Sequence, residues 1–552
     1  MRHARDHATP PLFDPFVHVG PKRRRMLDQS WAGLFRTEVL PHLPVGRLAA
    51  AFAAARGRPT KDLFVALGAL ALQGVFDLTD PQAERAVAFD LQWHYALDIT
   101  DESQACLSER TVRNYRQRLI ELGLDKALFE TITVHLARVF GVDCSRQRID
   151  STALRSAMRK LSRLGIFVQT IRQFLRQLGQ AFPQDLQDLA ALDAPLCQRY
   201  LEDKAEGKEG GCFGACKPSE ASGQLQTAAQ DLLRLVDRFA GTPAADLEGY
   251  QLLCRVLDEQ CDIPSPKAGD HQGGRMAVVK EQESVSGDSL QNPSDPDCTH
   301  NGHKGQGFTM QVMETYQEHA PAAAGDAPGE PSAEPRTPDL ITAVSINPMT
   351  THDGHTLAAT LDDAAARDLG PSQVLGDTHY GVGDNPQQAR QRGVELIAPA
   401  QPPKAYLQGK LSLEHFELDE RGQVVRCPAG HGPLANSASV KNFQAKFDQH
   451  LCHTCPLRPN CPVQRPRGDG TMRLQYDAAR LAMFRRRKSE QQESFTGRYR
   501  WRAGIEGTMS RLKHWMGLGM LRVRGLAAVT YHAVLAALGL NILRCAACHA
   551  AP

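Results

Sequence analysis

Four polar side chains near the end of the chain recur at helical spacing. In the segment YRWRAGIEGTMSRLK, Tyr499, Arg502, Glu506 and Lys513 fall within roughly 60° of one another around a helix. A plain solvated face is the alternative, because Arg502 and Glu506 also form an ordinary i,i+4 ion pair. Apolar residues follow at the same period and assign one face to a core: Ile505, Met509, Leu512 and Met516. A single carboxylate among cations is suited to holding a metal ion beside an anionic substrate such as a phosphodiester.

Two aspartates follow short apolar segments elsewhere in the chain. Residues 147–152 (QRIDST) predict a strand that ends on Asp150, and residues 373–376 (QVLG) predict one that leads into Asp377. Adjacent strand ends would bring two like charges together, which is costly unless a cation lies between them. With Glu506 added, three carboxylates can hold two Mg²⁺ roughly 4 Å apart for displacement at phosphorus. An aspartate at a strand end is also a common turn or cap residue.

The elements that must position these residues alternate between strands and helices. Further strands are predicted at residues 307–315, 340–347 and 394–398, and a helix at 385–392. A long interruption then precedes the helix that carries Glu506. This order predicts a mixed α/β sheet of five strands, with one carboxylate on the first strand and another on the fourth.

Together these motifs resemble the DDE transposases of bacterial insertion sequences. The resemblance is carried by Y-x2-R-x3-E-x6-K at Tyr499 to Lys513, I-D-S-T at Asp150 and L-G-D-T-H-Y-G at Asp377. It implies a ribonuclease-H-like catalytic core, a helical N-terminal DNA-binding domain, and a triad of Asp150, Asp377 and Glu506 that binds Mg²⁺ or Mn²⁺. Tyr499, Arg502 and Lys513 would contact transposon-end DNA.

The implied activity is cleavage at the inverted-repeat ends of an insertion sequence, followed by joining of the 3′-hydroxyls to target DNA. Because two ends must be paired, the resemblance also implies a homodimer on double-stranded DNA. The segment Gly307-Phe308-Thr309 departs from the more usual Gly-Tyr-Lys, but it does not touch the triad. Two alternatives keep the same scaffold: a catalytically silent DNA-binding regulator, and a ribonuclease-H-like nuclease without strand transfer.

The N-terminal region is predicted to bind DNA. Residues 1–30 end in a basic cluster (KRRR at 22–25) and are predicted as a basic arm, whereas residues 31–142 are helical throughout. Residues 61–76 are almost wholly apolar, as in a buried helix. Residues 107–122 follow a shorter helix, begin with Ser108 as N-cap, and predict a helix-turn-helix whose second helix contacts DNA. Its proposed contact residues are Arg110, Arg113 and Arg116. A basic surface helix in a bundle is the alternative.

The length of 552 residues predicts about three or four domains. The strands of the catalytic core are predicted to be separated by two insertions. Core strands are assigned to residues 143–152 and 300–400. A helical insertion is expected at 153–265, a linker at 266–299, and a Cys-rich insertion at 401–490. Residues 491–552 complete the catalytic core.

Four cysteines in the second insertion have spacing typical of a structural zinc site. Cys427 lies in C-P-x-G, and Cys452, Cys455 and Cys461 follow as C-x2-C-x5-C. Nearby histidines are substitutes if one cysteine is not a ligand: His431, His450 and His453. Four independent thiols are the alternative. Two further pairs lack a second pair and are predicted as free thiols: Cys212 with Cys216, and Cys545 with Cys548.

Several histidines and tryptophans lie close to the motifs. His352, Asp353 and His355 favour a structural turn over a metal site, whereas His379 is a candidate to face the metal site or DNA, with no such role as the alternative. Two tryptophans flank Glu506 and could stack on an unpaired base, although a packed indole is the default: Trp501 and Trp515.

The overall composition points to no particular partner, because the formal net charge is only +2. The first twenty residues are polar and predict no signal peptide, and no apolar run of 18 residues is evident. We therefore expect a cytoplasmic, nucleoid-associated protein without membrane contact, in which the 14 cysteines are reduced thiols or metal ligands.

Overall fold

The computed structural model describes residues 2–7, 9, 12–54, 59–201, 221–264, 275–318, 337–439, 441–465 and 471–549. Eight helices precede the first strand: α1 (Pro21–Asp28), α2 (Trp31–Leu34), α3 (Val45–Ala49), α4 (Leu63–Val75), α5 (Asp80–Phe89), α6 (Leu91–Ala96), α7 (Glu109–Glu121) and α8 (Leu124–Val139). Short 3-10 turns cover Val17–Val19 and Leu40–His42, with a π-turn at Phe35–Val39.

The basic cluster near the N-terminus is folded rather than a free arm. It lies on α1, where Leu27 is buried, and Phe16 and Val19 join the same core. Arg24 forms ion pairs with the carboxylates of Asp14 and Asp28, so its charge is already neutralised within the chain. The described part of the segment predicted as a basic arm, residues 12–28, therefore packs on the helical core through α1 and the residues before it.

The predicted buried helix is confirmed as α4. Eleven of its thirteen residues are buried, and Asp62 caps it by accepting a hydrogen bond from the Phe64 backbone N–H. Strand β1 (Arg146–Arg155) then begins the sheet and is longer than predicted, so Asp150 lies in mid-strand instead of at its end.

A helical insertion follows β1 and has a core of its own. It consists of α9 (Arg163–Ala181), α10 (Pro183–Leu192), α11 (Ala194–Leu201), α12 (Ala221–Phe239) and α13 (Glu248–Gln260). Two short strands, β2 (Cys261–Asp262) and β3 (Val278–Val279), pair after it. The described part of the predicted linker at 266–299 is mostly irregular in backbone and packs on the protein, with Leu290, Asp295 and Cys298 buried.

The central sheet has six strands. β1 is joined by β4 (Thr299–Asn301), β5 (Gly305–Thr315), β6 (Ile341–Pro348), β7 (Gln373–Leu375) and β8 (Glu395–Ile397). The order is β4-β5-β1-β7-β8, and β6 also pairs with β5. β1 runs antiparallel to β5 and parallel to β7. The sheet is mixed as predicted, but the prediction of five strands missed β4. Helices α14 (Leu357–Ala365) and α15 (Asn385–Gln391) pack on it.

The second insertion is a small unit between the sheet and the last helices. It contains α16 (Lys404–Leu407), β9 (Glu417–Leu418), β10 (Val424–Arg426), β11 (Ala435–Ala438), β12 (Asn442–Asp448), α17 (Gln449–His453), β13 (Thr471–Asp477) and α18 (Ala478–Glu490). Strands β11, β12 and β13 form one antiparallel sheet.

The C-terminal motif is not one continuous helix. α19 (Glu493–Tyr499) gives way to a 3-10 turn at Arg500–Ala503, and α20 (Gly504–His514) resumes before α21 (Leu526–His549). The predicted single stripe from Tyr499 to Lys513 is therefore interrupted.

The last helix, α21, is a core element. Its length and mean hydropathy of 1.8 would allow a membrane span, yet two thirds of its most apolar window are buried in the protein. It packs against α4, α8 and β6. The sequence interpretation missed this apolar stretch, because His532 and Asn541 interrupt it.

Asn541 gives a test of this packing. Its buried side chain accepts a hydrogen bond from the Ile341 N–H at 2.7 Å and donates one to the Ile341 carbonyl at 2.8 Å. These bonds pair the backbone groups of Ile341 that point away from β5. We predict that Asn541→Leu lowers the free energy of unfolding by about 2 kcal/mol or more, because two buried backbone groups lose their partners. Urea unfolding measures this. Asn114→Leu, on the exposed face of α7, is the control, and equal urea midpoints for the two variants would contradict the prediction.

Candidate active site

Asp150 and Asp377 approach each other through strand register. β1 and β7 are parallel with Arg148 opposite Leu375, and continuing that register by two residues brings Asp150 level with Asp377. Neighbouring strands lie about 4.8 Å apart. Burial raises the pKa of Asp150, Arg502 acts in the opposite direction, and the Asp377 charge raises it further. The two aspartates therefore form one electrostatic unit.

Arg502 links this unit to Glu506. Its Nη2 lies 2.7 Å from Asp150 Oδ2, and its Nη1 lies 3.2 Å from Glu506 Oε1. The Asp150 side chain is 13% exposed and that of Glu506 is 67% exposed, so the site has a buried end and an open end. Although burial opposes it, the nearby carboxylates of Asp150, Asp377 and Glu506 raise the pKa of Arg502. A cation thus already bridges two of the three predicted ligands.

A second carboxylate, Glu314, holds the helix of Glu506 against the sheet. Glu314 is fully buried, and its Oε1 accepts from Arg148 Nε at 2.8 Å. Its Oε2 accepts from Thr508 Oγ1 on α20 at 2.7 Å and from Arg544 Nη1 on α21 at 2.9 Å. One side chain therefore joins β5, β1, α20 and α21. The sequence analysis missed Glu314, which appears only as one polar residue in an otherwise apolar strand.

The break between α19 and α20 has its cause in Arg148. The Arg148 guanidinium donates to the Trp501 carbonyl at 2.9 Å and lies against the Gly504 backbone. A Cβ at position 504 would come within 2.0 Å of Arg148 Nη1, so a residue without a side chain is required there. The helix tightens to a 3-10 turn where this guanidinium packs.

The other residues of the C-terminal motif flank the carboxylates. Tyr499 is half-buried, with its ring stacked on Phe495 at a centroid distance of 5.6 Å. Lys513 lies beside Arg155 at the far end of β1, where burial and this second cation lower the pKa of Lys513. Two cations held together in this way favour an anion nearby. Contact of these residues with DNA stays a prediction.

The predicted recognition helix is α7, which begins after Ser108. Arg110 and Arg113 are exposed on it. Arg116, in contrast, points into the protein, where it forms an ion pair with Asp80 and a hydrogen bond to Gln73. Its position on the wheel lies beside the buried residues of α7, and an internal carboxylate already pairs with it, so contact of Arg116 with DNA stays a prediction.

Another basic run, RRRK at 485–488, also has internal partners. Arg486 donates to the carbonyls of Gly381 and Ala398, and Arg487 forms an ion pair with Glu414. Arg486 thus fastens the second insertion to the turn that follows Asp377, whereas Arg487 pairs within the insertion. They are not a free polyanion-binding surface.

The four cysteines of the second insertion surround one small space. Cys427, Cys452, Cys455 and Cys461 line a cavity of about 30 Å³, which His431 also lines. Burial and the neighbouring cysteines raise the pKa of Cys452. His450 is exposed, and His453 Nε2 lies 3.4 Å from Gln449 Nε2. The zinc assignment stays a prediction.

Across the ranges that the structure describes, no three His, Cys, Asp or Glu side chains stand close enough together to hold a single ion. In the candidate active site the Arg502 guanidinium lies between the carboxylates of Asp150 and Glu506 and pairs with both. Of the remaining cysteine pairs, Cys545 is buried in α21, whereas Cys212 and Cys216 lie outside the described residues.

The histidine motif after β6 forms a turn at the edge of the site. His352 caps a 3-10 turn at Asp353–Thr356, with its Nδ1 accepting from the Gly354 N–H at 3.1 Å. Asp353 is buried. The exposed ring of His379 lies 5.5 Å from that of His352. This arrangement agrees with a structural turn, and a role for His379 toward metal or DNA stays a prediction.

The two tryptophans differ in exposure. Trp501 is half-buried and packs against a small cluster at the edge of the sheet. Trp515 is 81% exposed at the end of α20, so the default expectation of a packed indole is wrong for it.

Comparisons with known proteins agree with this geometry. Residues 426–546 match the family described as "Transposase DDE domain", and residues 33–118 match "Transposase domain (DUF772)". No curated protein matches the chain. The first match contains Glu506 and the four cysteines, whereas Asp150 and Asp377 lie outside both. Both matched families are described as transposase domains, and each match covers less than half of the chain. The mixed sheet is compatible with a ribonuclease-H-like core.

Glu314 provides the test of how this site is held. We predict that Glu314→Gln lowers the free energy of unfolding by about 3 kcal/mol or more, because Arg148 and Arg544 lose their shared buried countercharge. Chemical denaturation measures the change. The control is Glu395→Gln, which removes an exposed partner of Arg498 and should cost about 0–1 kcal/mol. Equal losses in the two variants would contradict the prediction.

Proposed function

We propose that this protein is a transposase that binds the terminal inverted repeats of an insertion sequence, cleaves the ends, and joins the 3′-hydroxyls to target DNA. The observation that carries the proposal is that Arg502 pairs with both Asp150 and Glu506 while the Asp377 charge acts on Asp150 and on Arg502, although the three carboxylates come from segments far apart in sequence. Pairing of two transposon ends would require a homodimer on DNA.

The three carboxylates fit a pair of Mg²⁺ or Mn²⁺ ions. Their hard oxygen donors are the ligands that these ions prefer, and the Arg502 guanidinium between Asp150 and Glu506 stands where positive charge is favoured. Bound metal would supply activation of the attacking oxygen and stabilisation of the leaving one. Asp150 and Asp377 would hold the buried side of the site, and the more exposed Glu506 would close it.

Cationic and aromatic residues around the carboxylates would hold the DNA strand. Tyr499 and Arg502 interact electrostatically with Asp150 and Asp377, and Lys513 lies beside Arg155, which adds a further cation at the far end of β1. On the N-terminal side, Arg110 and Arg113 are free to face phosphates from the exposed surface of α7. Arg116 is not part of this proposal.

Removing the Glu506 charge tests the enzyme activity. We predict that Glu506→Gln reduces cutting of a labelled inverted-repeat end in Mg²⁺ by more than about a hundredfold. Replacing a residue that only hydrogen-bonds to a metal ligand already lowers activity by about 10–100-fold, and Glu506 is proposed to be a ligand itself. End binding without metal should be unchanged, because Glu506 is exposed and is not a cation that contacts phosphate. Gel assays of cutting, joining and binding measure these effects.

Glu493→Gln, at the exposed start of α19, is the matched control and should leave cutting unchanged. Combined loss of cutting and binding in Glu506→Gln would mean that Glu506 is structural. Wild-type protein that binds ends without cutting would indicate a regulator, and hydrolysis without joining would indicate a nuclease; each result would overturn the proposal.

The four cysteines are proposed as ligands of a structural Zn²⁺. Four sulfur donors around one cavity match the tetrahedral sites of small zinc-stabilised units. The second insertion would gain from such support, because every residue of β11 is exposed and the core of this small unit has ten buried hydrophobic residues among those described. His431 lines the same cavity and would be the substitute ligand.

The zinc proposal is tested by metal analysis of the purified full-length protein. We expect about one Zn²⁺ per chain, lost in Cys455→Ser together with increased proteolysis within the second insertion. Cys106→Ser, an exposed cysteine in the N-terminal helical region, is the control and should retain the metal. Wild-type protein that contains no zinc after purification with zinc present would overturn the assignment.

A further inference from the structure

Strand β5 carries a polar side chain toward each face of the sheet. Glu314 faces α20, and Gln311 is three residues earlier, so it points to the opposite face. Both side chains are almost completely buried. Glu314 already has a role as the anchor of the helix that carries Glu506. The role of Gln311 follows from its contacts.

Gln311 joins two buried groups from other parts of the chain. Its Oε1 accepts a hydrogen bond from the hydroxyl of Tyr380, and its Nε2 donates to Asp353 Oδ1 at 3.1 Å. Lys304 Nζ lies 3.4 Å from the other oxygen of Asp353. Burial raises the pKa of Tyr380 well above its usual range, and the charge of Asp353 acts in the same direction, so the hydroxyl stays protonated and acts as the donor.

Tyr380 in turn belongs to the tight turn that presents Asp377. The Tyr380 N–H donates to the Asp377 carbonyl at 3.2 Å, and the His379 N–H donates to Asp377 Oδ1 at 2.8 Å. A Cβ at Gly376 would meet the Tyr380 side chain at 3.0 Å, so the ring packs directly beneath the turn. Any shift of the Tyr380 ring would therefore move the Asp377 carboxylate.

A second fastening joins the same turn to the histidine motif. Asn385 Nδ2 donates both to the Tyr380 carbonyl at 3.0 Å and to the Gly354 carbonyl at 2.9 Å. A Cβ at Gly354 would come within 2.6 Å of the His379 carbonyl oxygen. The turn at Asp353 thus lies close against the turn of Asp377, and Gln311 is hydrogen-bonded to both.

We infer that Gln311 is a positioning residue that acts through Tyr380 and Asp353 to hold the Asp377 carboxylate opposite Asp150 at the distance a shared divalent cation requires. This inference rests on the proposed function. β7 has only three residues and cannot by itself resist the repulsion between two carboxylates. A catalytic arrangement tolerates a displacement of only about 0.5 Å, so an anchor of this kind affects the chemistry.

The variant that tests the inference is Tyr380→Phe, which removes one oxygen and retains the ring. Its expected effect is about a tenfold weaker affinity for Mn²⁺, measured by titration calorimetry, because groups that orient metal ligands typically contribute about 10–100-fold. The Mg²⁺ concentration for half-maximal cutting should rise by a similar factor. Cutting at saturating metal and binding of transposon ends should change little.

A matched control and a second variant separate positioning from folding. Tyr250→Phe removes another buried tyrosine hydroxyl, which donates to the Val236 carbonyl at 2.9 Å in the helical insertion, and should leave Mn²⁺ affinity unchanged. Gln311→Leu combined with Tyr380→Phe should weaken Mn²⁺ affinity by less than the sum of the single effects, because both substitutions break one linkage.

Two results would overturn the inference alone: Mn²⁺ affinity in Tyr380→Phe equal to wild type, or a loss of end binding and stability as large as the loss of metal affinity. Failure of the proposed function would look different. In that case wild-type protein would neither bind Mn²⁺ in a manner abolished by Asp377→Asn nor cut the ends, and the inference would fall with it.

Discussion

The buried carboxylate of Glu314 is the interaction on which the catalytic region depends. It receives hydrogen bonds from Arg148, Arg544 and Thr508, which come from three separate elements. A charge with no access to water is tolerated only when it is fully paired, so these partners cannot move independently. The helix of Glu506 is consequently fixed against the strand of Asp150 by electrostatics behind the site, while the front stays open.

The same strand helps to position two of the proposed catalytic carboxylates, which come from distant segments. Alternation along β5 sends Glu314 to the face covered by α20 and Gln311 to the face covered by the Asp377 turn. Each face therefore has its own polar anchor within one short stretch of backbone. Packing of apolar residues alone would leave either element free to slide, because hydrophobic contact is not directional.

Local patterns predicted the elements that depend on local physics. The apolar period identified α4, alternation identified β5 and β6, and the spacing of Cys452, Cys455 and Cys461 indicated residues that do line one cavity. The errors arose where a distant partner decides the outcome. A sequence cannot show that Asp80 neutralises Arg116, or that the guanidinium of Arg148 interrupts the helix at Gly504. The short edge strand β4 was missed because the segment before it is rich in Gly, Ser, Asp and Pro.

Arg486 has a consequence for how the second insertion is related to the rest of the molecule. Its guanidinium, on α18, donates hydrogen bonds to the carbonyls of Gly381 and Ala398. Two backbone oxygens beside the Asp377 turn therefore have their hydrogen-bond donor in the second insertion. The insertion is therefore not a detachable module. A shortened chain that bridged β8 directly to α19 would expose unsatisfied acceptors next to the reaction centre, and transfer of the insertion to another scaffold would separate it from the surface it braces.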